Sequence, residues 1–304
     1  MPTGPAPAEP APTDVLAALG MPAPTRIARA NSSDATVWQV RVDGRDLALR
    51  LHRPGVRAER ERLAARVAAR LGIPVPAPVA TGRYGDRQVD VTRWCPGRTV
   101  GACFGDGGAA AEAVGRRFGA LQARLHAAVF PAAGADADVD ELRSEAQILE
   151  HAGCDPDLAG AIGQVLAARR ARPRALLHMD YHPFNVLDDG HRVTGVVDWT
   201  NAAVGDPRFD LARTRSLFVL AEVLDPAYVA MVEPVLRAWR AGYEQVAPVP
   251  GDDELAPFLA CAGCLLLADW RPRVAAGVAP AELLDVAGAW ADRWRTRTLS
   301  VGSA

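Results

Sequence analysis

The densest group of polar side chains in the sequence lies in residues 176–199, which read LLHMDYHPFNVLDDGHRVTGVVDW. An apolar strand end leads into a loop that carries Asp180 and Asn185. The Asp-Asp-Gly sequence that follows predicts a hairpin turn, from which a second apolar strand returns and ends at Asp198. We therefore predict that the hairpin places Asp198 beside Asp180 and Asn185.

These three side chains match the chemistry of phosphoryl transfer from ATP. That reaction needs one carboxylate to orient the acceptor hydroxyl and accept its proton, and hard oxygen ligands to hold Mg²⁺ against the phosphates. Asp180 can supply the first, and Asn185 and Asp198 the second. The order of the residues is that of a kinase catalytic loop followed by a metal-binding aspartate. The pattern predicts a phosphotransferase with ATP and Mg²⁺ as cofactors.

With these motifs the sequence resembles the aminoglycoside phosphotransferase family, the choline-kinase-like small-molecule kinases. The matching residues are HxDxxxxN at His178, Asp180 and Asn185, DW at 198–199, and GDPRFDLA at 205–212. The resemblance implies an α+β, bilobal protein-kinase-like fold with a small β-rich N-lobe and a larger, mainly helical C-lobe. It also implies transfer of the γ-phosphoryl group to a hydroxyl of a small molecule.

The resemblance implies a role for each matching residue. Asp180 would be the catalytic base, Asn185 and Asp198 the Mg²⁺ ligands, and His178 would pack the loop against the Asp198 turn.

Three features depart from the family pattern. Met179 stands where a Gly is usual, and Thr200 follows the DW motif where an acidic residue is common. The phosphate-covering turn, expected at 28–34, contains no Gly. These departures concern the acceptor site and the phosphate turn and remove no catalytic group.

The resemblance also implies nucleotide-binding residues in the N-lobe. Arg50 occupies the strand position where kinases keep a Lys, and all 34 basic residues of this chain are Arg. Its predicted partner is Glu61 on the following helix, with Glu59 left open as the alternative. Backbone groups from Thr92 to Trp94 would bind the adenine.

Changes in composition along the chain predict its organisation. Residues 1–13 are rich in Pro and Ala and predict a disordered tail. Residues 14–96 predict the N-lobe, of strands and one helix. Residues 97–304, after a Pro-Gly linker, predict the C-lobe with the catalytic loop, metal site and acceptor site. Helices are predicted at 57–71, 108–129, 139–151, 156–171, 207–222, 227–244, 253–269 and 280–296.

Charge and hydropathy argue against several classes of partner. The net charge of −2 and a pI of about 6.3 give no basic footprint for nucleic acid or an anionic membrane. No signal-peptide pattern is present at the start, and the uncharged stretch 257–268 is too short to span a bilayer. We expect a cytoplasmic protein with a small-molecule acceptor and no nucleic-acid, membrane or protein partner. The CxxC at Cys261 and Cys264 has apolar, helical flanks and predicts core residues.

Two alternatives use the same residues. A metal-dependent hydrolase could use His178, Asp180 and His182 as ligands, although it needs a further ligand and leaves Asn185 unexplained. A kinase-like binding protein could have kept the fold and lost catalysis, although the complete set of catalytic residues argues against it.

A protein kinase is a poorer match than a small-molecule kinase. Only about a dozen residues separate Asp198 from Asp210 in the next predicted helix, which leaves no room for the extended activation segment that peptide substrates need. Antibiotics, amino alcohols, sugars and amino-acid alcohols all remain open as acceptors, because the acidic excess after residue 200 is too slight to indicate a polycation.

Overall fold

The structure is a computed structural model that describes residues 9–30, 35–56, 58–105, 107–128, 130, 136–168, 174–220, 223 and 229–301. The chain divides into two compact units. The first unit comprises residues 1–59 and 76–95, and the second comprises residues 60–75 and 96–304. The first is rich in strands and the second is mainly helical, which confirms the predicted α+β class. Residues 60–75 thus belong to the second unit, although the predicted N-lobe included them.

One antiparallel sheet of five strands, in the order β1-β2-β3-β5-β4, forms the first unit together with helix α1. Leu47, Leu49 and Leu51 alternate along β3 and are buried against Val15 and Leu16 of the helix, because successive side chains of a strand point to opposite faces. The elements are α1 (Pro12–Ala18), β1 (Arg26–Ala30), β2 (Ala35–Val42), β3 (Arg45–His52), β4 (Pro78–Tyr84) and β5 (Arg87–Arg93).

Local sequence signals explain two features of this unit. Asp43 and Gly44 both have positive φ, at 49° and 73°, and Val42 pairs with Arg45, so the β2–β3 hairpin has the tight turn that its Asp-Gly sequence predicts. Helix α1 already begins at Pro12, where the fixed φ of proline favours a first helical turn. The predicted tail therefore ends earlier than residue 13. Residues 1–8, and residues 31–34 of the predicted phosphate turn, lie outside the described residues.

Helices make up most of the second unit, with two small three-stranded sheets in the orders β10-β9-β6 and β7-β11-β8. The helices are α2 (Glu59–Arg70), α3 (Val100–Phe104), α4 (Gly108–Ala127), α5 (Ala137–Asp140), α6 (Glu145–Ala152), α7 (Pro156–Ala167), α8 (Pro207–Val219), α9 (Val229–Tyr243), α10 (Asp252–Ala275) and α11 (Glu282–Val301). The strands are β6 (Arg98–Thr99), β7 (Arg143–Ser144), β8 (Ala175–Leu177), β9 (Val186–Asp188), β10 (Val193–Val196) and β11 (Ala203–Gly205).

The helix predicted at 139–151 is the clearest error of position. The chain instead forms α5 and the short strand β7, and α6 begins only after Ser144. Ser144 and Gln147 form a capping box there, and Gly153 ends the helix in the left-handed conformation. The capping residues, rather than the apolar periodicity, set the bounds of this helix.

Two glycines allow α4 and α9 to pack closely. A Cβ atom at Gly119 would overlap the carbonyl oxygen of Trp239, and one at Gly242 would overlap that of Arg116. This close approach places the buried polar side chains of α4 within reach of α9. Among the described residues, no helix is both long and apolar enough to cross a membrane.

Candidate active site

A single hairpin brings the predicted catalytic residues together. Strand β8 ends at Leu177, residues 178–185 form a loop, and β9 and β10 pair as an antiparallel hairpin. Just beyond β10, the N–H of Val197 donates to the carbonyl of Asn185 at 2.9 Å. Asp198 therefore returns beside the loop, as the Asp-Asp-Gly turn predicts.

Asn185 also holds the backbone and side chain of Asp180. Its Nδ2 donates to the Asp180 carbonyl oxygen at 3.0 Å and to Asp180 Oδ2 at 3.3 Å. The amide nitrogen is therefore directed at Asp180, which leaves the amide oxygen as the group that can bind a cation.

Asp180 is poised as an ionised carboxylate. Its side chain is 22% exposed, and Oδ2 lies 3.6 Å from His182 Nε2. Burial acts to raise the pKa of Asp180, but the adjacent His182 ring and the charge of Arg213 outweigh it and hold the pKa below its ordinary value. At neutral pH this carboxylate can accept a hydrogen bond from a hydroxyl group.

His178 connects the loop to the residue before Asp198. Its Nδ1 accepts from the Asp180 N–H at 3.3 Å and its Nε2 donates to the Val197 carbonyl at 3.0 Å. The ring is fully buried and lies 4.6 Å from the Trp199 ring, centroid to centroid. Burial lowers the pKa of His178, so the ring is neutral, with one nitrogen to accept and one to donate.

The structure does not contain the metal site that a metal-dependent hydrolase would need at His178, Asp180 and His182. Both ring nitrogens of His178 are engaged in hydrogen bonds, and Nδ1 of His182 accepts from the Phe184 N–H at 3.2 Å. Within the part of the chain that the structure describes, no three His, Cys, Asp or Glu side chains are grouped so that they could hold a metal ion. His178, Asp180 and His182 therefore do not form a metal triad.

The turn at Asp198 has a contact that sequence reasoning missed. Asp198 has a φ of 62°, and the Thr200 hydroxyl donates to its Oδ1 at 2.8 Å. The same hydroxyl lies 3.3 Å from Glu61 Oε2. In the sequence, Thr200 is marked only by its departure from the family pattern, although Ser and Thr in turns often bond to nearby residues.

The donor atoms at this turn suit Mg²⁺. Asn185 offers an amide oxygen and Asp198 a carboxylate, and the hairpin makes the two residues neighbours. Mg²⁺ prefers such hard oxygen ligands and is usually held by only one or two protein side chains. The residues present therefore fit the metal that the sequence predicts.

A buried carboxylate supports the loop from below. Asp210, on α8, is inaccessible to solvent; its Oδ1 accepts from the Met179 N–H at 2.6 Å. Its Oδ2 accepts from Gln122 Nε2 at 3.0 Å and from His126 Nε2 at 2.9 Å. Burial acts to raise the pKa of Asp210, but these partners outweigh it and lower the pKa, so the carboxylate stays charged.

Two further side chains of α8 hold the same loop. Arg213 Nε donates to the Met179 carbonyl at 3.3 Å, and the Thr214 hydroxyl donates to the Tyr181 carbonyl at 2.9 Å. Met179 has a φ of 62°, a conformation that glycine adopts without steric cost. Asp210 and Arg213 thus hold both backbone groups of Met179 in a conformation that its side chain disfavours.

Sequence reasoning did not predict this support. No sequence motif marks His126 or Gln122 as part of the site. The two residues are four positions apart, on a face of α4 that is otherwise largely apolar and buried. Two polar side chains at that spacing on a buried face must find hydrogen-bond partners inside the protein. This pattern could have predicted a buried polar partner such as Asp210.

Of the predicted nucleotide-binding residues, Arg50, Thr92 and Trp94 lie in the first unit, and Glu61 lies in the second. Arg50 on β3 pairs with Asp90 and Thr92 pairs with Ala48, so the side chains of Arg50 and Thr92 lie on the same face of the sheet. The Trp94 N–H donates to the Asp46 carbonyl at 3.1 Å, so it is not available to the adenine.

The two candidate glutamates have different contacts. Glu59 Oε1 accepts from Gln88 Nε2 at 2.7 Å, whereas Glu61 lies beside Thr200 and the Asp198 turn. The pairing of either glutamate with Arg50 stays a prediction.

Comparisons with solved structures show the same fold at low identity. A candidate aminoglycoside phosphotransferase from Ralstonia eutropha JMP134 matches with a TM-score of 0.64 and 17% identity, over 96% of this chain and 97% of that chain. A choline/ethanolamine kinase family protein from Mesorhizobium loti matches with 0.58 and 20%, over 90% and 87%. A thermostable mutant of an aminoglycoside phosphotransferase, in a ternary complex with AMP-PNP and hygromycin B, matches with 0.60 and 16%, over 94% and 96%.

A comparison with curated proteins gives no significant match. The profile of the phosphotransferase enzyme family, in contrast, matches residues 14–249, which is most of the sequence and includes the whole catalytic loop. The chain therefore belongs to the phosphotransferase enzyme family.

Proposed function

We propose that this protein transfers the γ-phosphoryl group of ATP to a hydroxyl group of a small molecule, with Mg²⁺ as its metal. The observation that carries the proposal is the hairpin that joins Asp180, Asn185 and Asp198, with a neutral His178 between them. Membership of a phosphotransferase family supports the reaction class.

Asp180 orients the acceptor hydroxyl for in-line attack. The acceptor oxygen forms a bond to the γ-phosphorus, the bond from that phosphorus to the β,γ-bridging oxygen breaks, and ADP leaves. The hydroxyl proton passes to the Asp180 carboxylate. Because the lowered pKa makes Asp180 a weak base, its main contribution is to orient the hydroxyl, and it takes the proton late, as the new bond forms.

Asn185 and Asp198 would hold Mg²⁺, which neutralises charge on the phosphate oxygens. Thr200 orients Asp198 through the 2.8 Å hydrogen bond. In the first unit, Arg50 would bind the phosphates, and Thr92 and Trp94 would lie at the adenine. The AMP-PNP complex of a structurally similar aminoglycoside phosphotransferase supports nucleotide binding by this fold.

The test is ADP release from Mg-ATP across a panel of hydroxyl acceptors: aminoglycosides, macrolides, choline, homoserine and simple sugars. We expect release that depends on one acceptor class, and a loss of kcat by about 10³-fold in Asp180→Asn, within the range for removal of a general base. Affinity for Mg-ATP, measured by calorimetry, should change little. Asp198→Ala should weaken Mg-ATP binding instead.

The matched control is Asp189→Asn, an exposed aspartate in the β9–β10 hairpin whose amide can keep the local backbone hydrogen bonds. It should retain both rate and affinity. An Asp180→Asn enzyme with the wild-type rate would remove Asp180 from the mechanism. Failure of the wild type to bind Mg-ATP would contradict the proposal and favour the kinase-like binding protein.

A further inference from the structure

Phe184 is a large apolar side chain that stands half exposed within the catalytic loop. It is 48% exposed, although it directly precedes the buried Asn185. Single exposed apolar side chains are common on protein surfaces and by themselves indicate no function. This one differs from them because its contacts lead directly to the proposed catalytic carboxylate.

The ring of Phe184 is connected to Asp180 through His182. The rings of Phe184 and His182 lie 6.1 Å apart, centroid to centroid, and His182 Nε2 lies 3.6 Å from Asp180 Oδ2. The side chains of Asp180 and His182 are themselves 22% and 25% exposed. The three side chains therefore form one partly exposed strip, which runs from the carboxylate to the aromatic ring.

The loop backbone and helix α3 hold the ring in place. The Phe184 N–H donates to His182 Nδ1 at 3.2 Å, and the Gly101 N–H of α3 donates to the Pro183 carbonyl at 2.8 Å. A Cβ atom at Gly101 would lie 2.6 Å from Cε1 of Phe184, so the glycine makes room for the ring against the helix. The ring is thus positioned before a ligand arrives, which lowers the entropy cost of binding.

We propose that Phe184 binds an apolar part of the acceptor, so that the substrate is a hydroxyl compound with an apolar ring or chain beside its reactive hydroxyl group. This inference rests on the proposed function and names the class of its acceptor. A compound whose hydroxyl group reaches Asp180 can extend along the strip and cover the exposed part of the ring.

An apolar group suits this surface better than a cation or a simple polyol. It gains free energy in proportion to the apolar area that it and the ring remove from water. A cation gains little over a half-exposed ring, because cation–π attraction becomes strong only where both groups are desolvated. A simple polyol offers no apolar surface with which to cover the ring.

The test uses the full chain loaded with AMP-PNP and Mg²⁺, with benzyl alcohol, choline and glycerol as probes. All three carry a hydroxyl group, and saturation-transfer NMR measures the affinity of each. We expect benzyl alcohol to bind the wild type more tightly than the other two. Phe184→Ala should weaken the binding of benzyl alcohol about tenfold, because the ring contact is lost. Phe184→Leu, which keeps a smaller apolar side chain, should weaken it less.

Val278→Ala is the matched control, because it truncates an exposed apolar side chain outside the catalytic loop, between α10 and α11. It should leave the affinity for benzyl alcohol unchanged. Equal binding of benzyl alcohol by the wild type and Phe184→Ala would overturn the proposal. Absent binding of benzyl alcohol, or binding of choline or glycerol that is as tight or tighter, would overturn it as well.

The affinity for AMP-PNP, measured by calorimetry, separates the acceptor from the nucleotide. Phe184→Ala should bind AMP-PNP as tightly as the wild type. A marked loss would assign the ring to the nucleotide and overturn the acceptor assignment. If the wild type failed to bind AMP-PNP at all, the proposed function itself would be contradicted, whereas a failure of benzyl alcohol alone would contradict only the role of Phe184.

Discussion

Asp180 and Asp210 make opposite use of similar surroundings. Burial acts to raise the pKa of both carboxyls, and in both cases hydrogen-bonding partners lower it below its ordinary value. Asp210 is inaccessible to solvent, and both of its oxygens accept hydrogen bonds from within the chain. Asp180 keeps 22% of its side chain exposed. Asp210, whose oxygens are both hydrogen-bonded within the chain, can therefore only hold the loop in place. Asp180, which is partly exposed, can also accept a hydrogen bond from a ligand.

The largest expected effect comes from Asp210→Ala. The change leaves His126, Gln122 and the Met179 N–H without their buried acceptor, which should lower the free energy of unfolding by about 3 kcal/mol, because buried polar groups without a hydrogen-bond partner are costly. Chemical denaturation followed by circular dichroism measures the change.

Asp285→Ala is the control for Asp210, because Asp285 is exposed in the first turn of α11. Its loss should cost less than about 0.5 kcal/mol. If Asp210→Ala kept wild-type stability and lost only turnover, Asp210 would act on the ligand and the contrast between the two carboxylates would disappear.

The second prediction concerns the pH dependence of stability, which the buried His178 ring should determine. Because burial lowers the pKa of His178 in the folded state, the unfolded chain, with a pKa near about 6.5, binds the extra proton. The contribution of His178 to stability is therefore complete above about pH 6.5 and is lost, by about 1.4 kcal/mol per pH unit, as the pH falls toward the folded pKa.

His178→Gln cannot titrate, so the stability difference between wild type and variant should shrink as the pH falls from 7.5 to 5.0. Urea denaturation at several pH values measures it. His191→Gln, exposed in the neighbouring hairpin, is the control. A constant difference for His178→Gln would mean that the folded ring takes up the proton as readily as the unfolded chain.

The smallest expected effect concerns Met179, which precedes Asp180 and whose N–H is bound by Asp210. Met179→Ala and Met179→Gly both delete a buried side chain, but only glycine adopts a φ of 62° freely. The Gly variant should therefore be more stable than the Ala variant by about 1 kcal/mol, the reverse of their order in a helix. Thermal unfolding of the pair compares them, and an Ala variant of equal or greater stability would show that the left-handed conformation is not maintained.

Several parts of the molecule followed from short-range patterns. The Asp43-Gly44 turn predicted its hairpin, and the predicted helix at 57–71 appears as Glu59–Arg70. The helix predicted at 139–151 did not follow its apolar pattern, because the capping box at Ser144 starts it later. Capping is decided by a few side-chain hydrogen bonds, which hydrophobic periodicity does not register.

By itself, the sequence determined the arrangement of the proposed catalytic residues, because Asp180, Asn185 and Asp198 are brought together by one hairpin whose turn is encoded locally. Only the tertiary structure decided what surrounds it. Asp210 meets His126 across 84 positions, and Arg213 meets Asp269 across 56. Such contacts depend on how helices pack, as where Gly119 lets α4 approach α9, and helix packing is set by the shapes of many side chains together and not by any single motif.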